Sequence, residues 1–538
     1  MTMKRVEKDM PTVLISDKMS PKAAEIFKAR GIEVIEDFEL HKDKEKFIET
    51  LRKVDGVAIR SATKIGKSTL DALAGSNLKV IGRAGIGVDN VDIPAATAQG
   101  IVVMNTPFGN SITTAEHAIA LMFALARELP AADASTQAGK WEKNRFMGVE
   151  LTSKVLGIIG CGNIGSIVAD RAQGLKMKVI GFDPFLTPER ALETGIEKVT
   201  LDELLARADF ITLHTPLTES TRNVLSRENL QKTKKGVRII NCARGGLIDE
   251  AALKDLLESK HVAGAALDVF VEEPATSNPL FNTPGFISTP HLGASTSEAQ
   301  INVALQVAEQ MAEYLTSGGV ANALNMPSLS PEEAPKLKPY MALAEELGSI
   351  AGQLIDGDFQ GVTVEYEGTI AELNTKPVTA GVLAGLMRVF SDTVNMINAP
   401  SIAKDRNIAV SDVRQTREGD YHTLVRVSVK TDHGTRSVAG TLFSNREPRL
   451  VELFGIKVEA DLAGHMLFVS NDDKPGFIGR LGTTLGEAGV NIGTFHLGRR
   501  DAGGEAILLL SVDSVLPESV IASIAALPGV RAVKALTF

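Results

Sequence analysis

Three polar side chains, Arg244, Glu273 and His291, each stand at or just after the end of a strand-like run, and their types suit the oxidation of an alcohol. Arg244 follows IINCA and precedes Gly245-Gly246, Glu273 lies in DVFVEEP, and His291 follows FISTP ahead of Leu292-Gly293-Ala294. Taking a hydride from a C–OH carbon needs a base for the hydroxyl proton, and the reverse reaction needs an acid. Histidine titrates near neutrality and serves as both. A carboxylate beside it orients the ring and stabilises the imidazolium. An arginine can hold a substrate carboxylate in its planar fork and polarise the reacting oxygen. Each residue also has a plainer reading: a structural histidine after a proline, a helix-entry arginine before two glycines, a solvated acidic turn at Glu272-Glu273. Convergence of the three is therefore an expectation.

A hydride needs an acceptor, and one motif supplies its seat. Gly160-Cys161-Gly162-Asn163-Ile164-Gly165 matches GxGxxG; it follows the strand-like VLGII, opens a helix, and is trailed by KVIGF ending in Asp183. Gly160 permits a tight turn, Gly162 lets the backbone approach a pyrophosphate, and Gly165 lets helix and strand pack closely. The helix N-terminus offers free N–H groups to the anion. Asp183, about twenty positions on, suits ribose hydroxyls and repels a 2′-phosphate, which favours NAD over NADP.

The elements that must position these groups read as two α/β series. From Thr12 to Asn105 the runs TVLIS, IEVIE, GVAIR, LKVIG and IVVMN alternate with helix-period segments such as 21–30 and 44–54. After a long helix starting near Ser111 come KVLGIIG, MKVIGFD, ADFITLH, VRIINCA, VAGAALD and GFISTP, with helices opening at Asn163, Leu201 and Asp249. Continuous apolar strands separated by helices imply two doubly wound parallel sheets covered on both faces. A helix over 297–315 returns the chain to the first domain. The proline-rich NMPSLSPEEAPKLKPY reads as a linker. Beyond it an α+β stretch has helices at 336–355 and 376–390 and the strands GVTVEYEG and TLVRVSVK, in the irregular pattern of an antiparallel sheet. The last unit, from about Gly464, reads β-α-β-β-α-β, a ferredoxin-like plan. The expected division is a discontinuous substrate domain (1–108 and 290–325), a Rossmann-type domain (109–289), an intervening α+β domain (326–463) and a final domain (464–538).

Composition narrows the classes. A length of 538 residues exceeds one core, and 44% hydrophobic with 23% charged residues is an ordinary globular mixture. A net charge of −9 without a long basic run disfavours nucleic acid as a partner. Two cysteines, Cys161 and Cys242, outside any CxxC pair, argue for a reducing compartment and against a thiolate metal site; no metal is expected. The N-terminal MTMKRVEKDM is charged where a signal peptide needs an apolar core. The most apolar helix, 115–129, carries four charged or titratable residues and is too short to span a bilayer. No membrane contact and a cytoplasmic location are expected.

Six blocks now acquire a common meaning. RSATK, GRAGIGVDNVD, MNTP, NCARGGLIDE, ALDVFVEEP and PHLGAST, together with GxGxxG, resemble the D-isomer-specific 2-hydroxyacid dehydrogenases, and within them the long-chain branch acting on 3-phosphoglycerate. The resemblance covers essentially the whole chain. It implies NAD-dependent oxidation of 3-phosphoglycerate to 3-phosphohydroxypyruvate, the entry to serine synthesis, with His291 as acid/base, Glu273 its partner and Arg244 orienting the substrate. It carries cofactor contacts to Asn163, Ile164, Asp183, Thr215, Cys242, Ala243, Arg244, Asp268 and the loop His291, Gly293 and Ala294. Ile86 stands where some members have a small polar residue. A phosphorylated hydroxyacid needs several cations, and Arg60, Lys64 and Arg83 lie near strand ends or in following loops of the first domain, with Lys143 and Arg145 weaker candidates.

The last unit resembles an ACT domain, carried by Asn471-Asp472-Asp473-Lys474-Pro475-Gly476, Gly479 and Gly489-Val490-Asn491-Ile492. The resemblance implies an amino-acid effector held by Asp473 and Asn491, with serine, the pathway's end product, as the natural one. Asn471 replaces an aromatic residue of some serine-regulated relatives. A purely dimerising role is the other reading. The family implies a homotetramer. Two alternatives stay open at this point: a dehydrogenase for glyoxylate, lactate or 2-hydroxyglutarate, which would make the first-domain cations redundant, and a dinucleotide-sensing partner protein without useful turnover, against which the intact Arg244, Glu273 and His291 argue.

Overall fold

A computed structural model describes residues 10–330, 332–416, 419–462 and 464–538. The charged N-terminal stretch through residue 9, position 331 in the expected linker and position 463 at the expected edge of the last unit lie outside it.

The first sheet holds β1 (Thr12–Ile15), β2 (Glu33–Glu36), β3 (Gly56–Ile59), β4 (Val80–Arg83) and β5 (Val102–Met104), all parallel in the order β2-β1-β3-β4-β5. All of β3 is buried, as a strand covered on both faces must be. The second sheet holds β6 (Val155–Ile159), β7 (Lys178–Phe182), β8 (Glu197–Lys198), β9 (Phe210–Leu213), β10 (Val237–Asn241), β11 (Val262–Leu267) and β12 (Phe286–Ser288). Its order, β12-β11-β10-β9-β6-β7-β8, is parallel throughout and reverses at β6. Open α/β sheets bind ligands beyond the strand ends at such switch points, which in the two sheets are β1/β3 and β6/β9. The helix Ser297–Ser317 returns to the first sheet. It passes so close that a Cβ on Gly82 would fall 2.1 Å from Met311 Sδ.

Two expectations need correction beyond this point. Part of the expected linker is the start of the helix Ala334–Leu354. Pro335 occupies its first turn, where the N–H would be unpaired anyway, and Pro339 lies inside the helix but near its start, removing a single backbone bond. The third sheet is mixed rather than antiparallel. It comprises β13 (Phe359–Gly368), β14 (Ala409–Gln415), β15 (Thr423–Thr431), β16 (Gly434–Phe443), β17 (Glu447–Leu453) and β18 (Ile456–Ala460) in the order β14-β13-β15-β16-β17-β18. The helices Lys376–Met387 and Ala399–Asp405 form a crossover that returns β14 parallel to β13.

The final unit has β19 (His465–Asp472), β20 (Ile492–Arg499), β21 (Glu505–Val512) and β22 (Val530–Thr537) in the antiparallel order β20-β21-β19-β22, with two helices between them. Met466, Phe468, Ile507, Leu509 and Leu536 on this sheet join a continuous core running through the third sheet and the helices 334–354 and 297–317 to the first sheet. No helix among the described residues is long and apolar enough to cross a membrane.

Candidate active site

The turn after β6 is built as the glycine spacing demands. Gly160 has φ +95°, and a Cβ there would strike His214 O and Thr215 Cγ2 at 2.6 Å. A Cβ on Gly165 would lie 2.1 Å from Gly160 O, so only glycine lets helix and turn touch. Nothing lies within 4 Å of the same position on Gly162, and Gly162 and Asn163 are exposed where the helix Asn163–Gly174 begins, leaving its N–H groups open to an anion. Ile164 is half-buried behind them. Asp183, at the end of β7, accepts the Cys161 N–H through Oδ2 and the Phe185 N–H through Oδ1, both at 2.8 Å. Thr215 Oγ1 and His214 Nδ1 are buried with no partner among the described residues. Exposed amides at a helix start, a half-buried carboxylate one strand away and unpaired polar atoms beside the glycine turn fit a dinucleotide such as NAD.

His291 Nδ1 lies 2.7 Å from Glu273 Oε2, and Glu273 Oε1 accepts the Phe270 N–H at 3.0 Å. Burial alone would raise the Glu273 carboxyl, but the bonds from His291 and Phe270 outweigh it and hold the group below its usual value. His291 has φ +56°, a left-handed conformation costing about 1–3 kcal/mol that persists only where the surroundings enforce it. They do. Its N–H reaches Asp268 O at 2.9 Å, while the Asp268 carboxylate accepts the Leu292 and Gly293 N–H groups at 2.7 and 2.8 Å. Thr289 Oγ1 donates to Asp268 at 2.6 Å and His117 Nε2 lies 3.3 Å away. Asp268 is 0% exposed, so in this structure it anchors the histidine loop rather than facing the crevice. Ala294 is half-buried and its carbonyl accepts from Gln300.

Arg244 reaches across from the loop after β10 to the first sheet, its Nε donating to Asp89 Oδ2 at 2.8 Å. Cys242 beside it is buried and Ala243 half-buried. Arg83 ends β4 and Arg60 follows β3. Burial, then the like charges of Arg244 and Arg60, push the Arg83 guanidinium down to about 10. Arg83 and Arg244 both lie along the loop after β4: a Cβ on Gly85 would fall 1.5 Å from Arg83 Nη1, and one on Gly87 1.5 Å from Arg244 Nη2. Asp17, after β1, accepts the backbone N–H groups of Arg60 and Thr63 at 2.5 and 3.2 Å, and the charges of Asp89 and Asp17 offset part of the repulsion on Arg83. Cations whose charges act on one another suit a ligand carrying both phosphate and carboxylate.

Other candidates fall outside this cluster. Lys64 is exposed on the loop beyond Arg60. Arg145 pairs with Glu142 at 3.0 Å, and Lys143 is exposed. The Ile86 carbonyl accepts from Asn105 Nδ2 at 2.7 Å, a backbone contact. The two expected effector residues do not meet within one chain. Asp473 follows β19, opposite the end of β20 at Arg499, whose Nη1 it binds at 2.9 Å; Asn491 precedes β20 and binds Asp513 at 2.8 Å. The length of β20, Ile492–Arg499, separates them, roughly 25 Å at about 3.3 Å per residue. Asp473 instead lines a hollow with Asn471, Pro475, Phe477 and Arg499.

Sequence reasoning missed Asp17, Asp89, Asn90 and His117. Asp89 and Asn90 lie in the quoted GRAGIGVDNVD block, and Asp17 follows the first strand at the switch point, so position relative to strand ends was the available signal.

Residues 119–293 match the model of the D-isomer specific 2-hydroxyacid dehydrogenase NAD binding domain, 336–454 the D-3-phosphoglycerate dehydrogenase intervening domain, and 465–529 the ACT domain. The chain is 42% identical over 524 residues to D-3-phosphoglycerate dehydrogenase of Bacillus subtilis, covering 97% of this chain and 98% of that protein. Against the Methanocaldococcus jannaschii protein of the same name it is 41% identical over 525 residues, 97% and 99% of the two chains. Among solved structures, a glyoxylate reductase from Paecilomyes thermophila is 32% identical with a TM-score of 0.55, over 59% of this chain and 98% of that one.

Proposed function

The chain belongs to the D-3-phosphoglycerate dehydrogenases of the D-isomer specific 2-hydroxyacid dehydrogenase family, and from that premise we propose how its own residues perform the reaction. The reaction is NAD-dependent oxidation of 3-phosphoglycerate to 3-phosphohydroxypyruvate, the first step of L-serine biosynthesis. NAD, when bound, accepts the hydride leaving C2. Gly160, Gly162, Asn163, Ile164 and Gly165 seat its pyrophosphate, and Asp183 takes the ribose hydroxyls. Thr215, Cys242 and Ala243 line the same crevice.

His291 removes the C2 hydroxyl proton. Its Nδ1 is engaged by Glu273, so Nε2 is the nitrogen left for substrate, and Glu273 balances the charge the ring gains. A positioned base of this kind is worth about 10²–10⁴ in rate. Arg244 holds the substrate carboxylate beside the reacting oxygen, while Arg60 and Arg83 take the phosphate. Each charge-assisted bond contributes about 1.5–3 kcal/mol. Asp268 and Gly293 fix the loop carrying His291.

The observation that carries this reading is the 2.7 Å contact between His291 and Glu273, on the loop anchored by Asp268. Residues 1–108 with 290–325 then serve the substrate, 109–289 the cofactor, and 326–463 with 464–538 regulation. Serine is the effector on this reading, entering the hollow at Asp473, with Asn491 contributed from elsewhere in the assembly. The assembly is a homotetramer in the cytoplasm; Trp141 and Met147, 87% and 81% exposed, support burial of that arm against another copy.

A panel of hydroxyacids and oxoacids assayed with NAD(H), with light scattering on the same sample, tests both parts. Turnover of 3-phosphoglycerate far above that of glyoxylate, lactate and 2-hydroxyglutarate is expected, from a tetramer. Brisk glyoxylate reduction without phosphoglycerate turnover would contradict the substrate, and a monomer the assembly.

A further inference from the structure

We propose that Asp89 is a positioning residue for the reaction: from across the cleft it holds Arg244 so that one edge of the guanidinium faces the substrate carboxylate. The proposal rests on the functional reading above and extends it to a residue outside the His291, Glu273 and Arg244 set. The two residues are 155 positions apart and belong to different sheets, Asp89 to the loop after β4 and Arg244 to the loop after β10.

The geometry specifies which part of the arginine is used. Nε donates to Asp89 Oδ2 at 2.8 Å and Nη1 to the Ala243 carbonyl at 2.6 Å. Among the described residues no acceptor lies at Nη2. A guanidinium offers five N–H groups in a fixed fork, so this arrangement leaves Nη2, and the edge it forms with Nη1, for two oxygens of a ligand. A Cβ on Gly87 would fall 1.5 Å from Arg244 Nη2, so the guanidinium lies directly on the loop backbone.

The loop presenting Asp89 is itself fixed. Asn90 Nδ2 donates to Arg60 O at 2.6 Å and Thr63 O at 2.7 Å, Asn105 Nδ2 to Ile86 O at 2.7 Å, and the Gly85 N–H to Thr106 Oγ1 at 2.6 Å. Asp89 therefore places Arg244 in register with Arg60 and Arg83. Its side chain is 70% exposed, and an ion pair so wet adds little to stability. What it adds is orientation, where small misplacements cost large factors in rate.

The contact could instead be a competitor that keeps Arg244 from the substrate; that view predicts the opposite sign. The test is steady-state kinetics of the full-length enzyme carrying Asp89→Ala, Asp89→Asn, Arg244→Lys and Asp89→Ala/Arg244→Lys. We expect Asp89→Ala to raise KM for 3-phosphoglycerate about tenfold or more with a smaller fall in kcat, and to leave NADH affinity unchanged by fluorescence. Asp89→Asn, which keeps an acceptor for Nε, should recover part of the loss, and the double variant should lose less than the product of the single losses. Unchanged or lowered KM in Asp89→Ala, or independent losses in the double variant, would overturn the proposal. An inactive wild type would instead remove the functional reading on which it rests.

Discussion

The imidazole of His291 and the carboxylate of Glu273 meet at 2.7 Å between Nδ1 and Oε2, and the second carboxylate oxygen is tied to the Phe270 N–H. The carboxylate therefore cannot swing away without losing a backbone bond, and the ring it holds presents Nε2. Orientation and charge compensation come from one side chain.

Removing that charge should be costly to turnover. Glu273→Gln is expected to lower kcat by about 10–100-fold with modest change in KM, as for an interaction that strengthens in the transition state. The folded-state carboxyl is depressed, so its contribution to stability is full above the ordinary carboxylate pKa of about 4.3 and is lost as pH falls through the folded value. The difference in melting temperature between wild type and Glu273→Gln should be present at pH 6–7 and shrink below about pH 4. A difference that grows with acid would contradict the assignment.

Arg83 is expected to trade stability for binding. Its guanidinium is desolvated, faces Arg244 and Arg60, and has a buried Nε with no partner among the described residues. Arg83→Met should leave the melting temperature of the ligand-free protein unchanged or higher, while raising KM for 3-phosphoglycerate by roughly 100-fold. Retained KM with a lower melting temperature would make Arg83 structural.

Cofactor choice should follow Asp183. The Asp183→Ala variant is expected to bind NAD about tenfold more weakly and to accept NADP better, since the carboxylate that repels a 2′-phosphate is gone. A wild type preferring NADP, measured by paired KM values, would contradict the ribose role.

Both thiols should be inert in the folded protein. Burial, then the nearby Asp183 charge, pushes Cys161 up to about 12, and burial with Asp268 drives Cys242 well above its ordinary value. The thiolate is the reactive form, so a thiol reagent at pH 8 should label neither quickly in the native state and both after guanidinium unfolding. Rapid labelling of the native protein would show that the crevice opens.

What the chain order made legible was local chemistry. Gly160, Gly162 and Gly165 announce their turn because each answers a separate steric need within six residues, and His291, Glu273 and Arg244 could be placed at strand ends because the parallel strands are continuous apolar runs. Pairings across the cleft were not legible. Nothing in GVDN states that Asp89 meets an arginine 155 positions later, and nothing near Asp268 shows that both its oxygens anchor the histidine loop. Asn491 and Asp473 each lie in a motif of the last unit, but the register of β20 against β21 puts them at opposite ends of β20. Pro335 and Pro339 suggested a linker, since proline's tolerance near a helix start depends on where the helix begins. The parallel pairing of β14 likewise follows from a crossover whose course the alternation of apolar residues does not record.

The most direct measurement is the effect of His291→Gln on full-length enzyme oxidising 3-phosphoglycerate with NAD. If the ring is the base, kcat falls by about 10²–10⁴ while the NADH dissociation constant stays within about twofold. Turnover within tenfold of wild type, with cofactor binding intact, would mean that the proton leaves by another route.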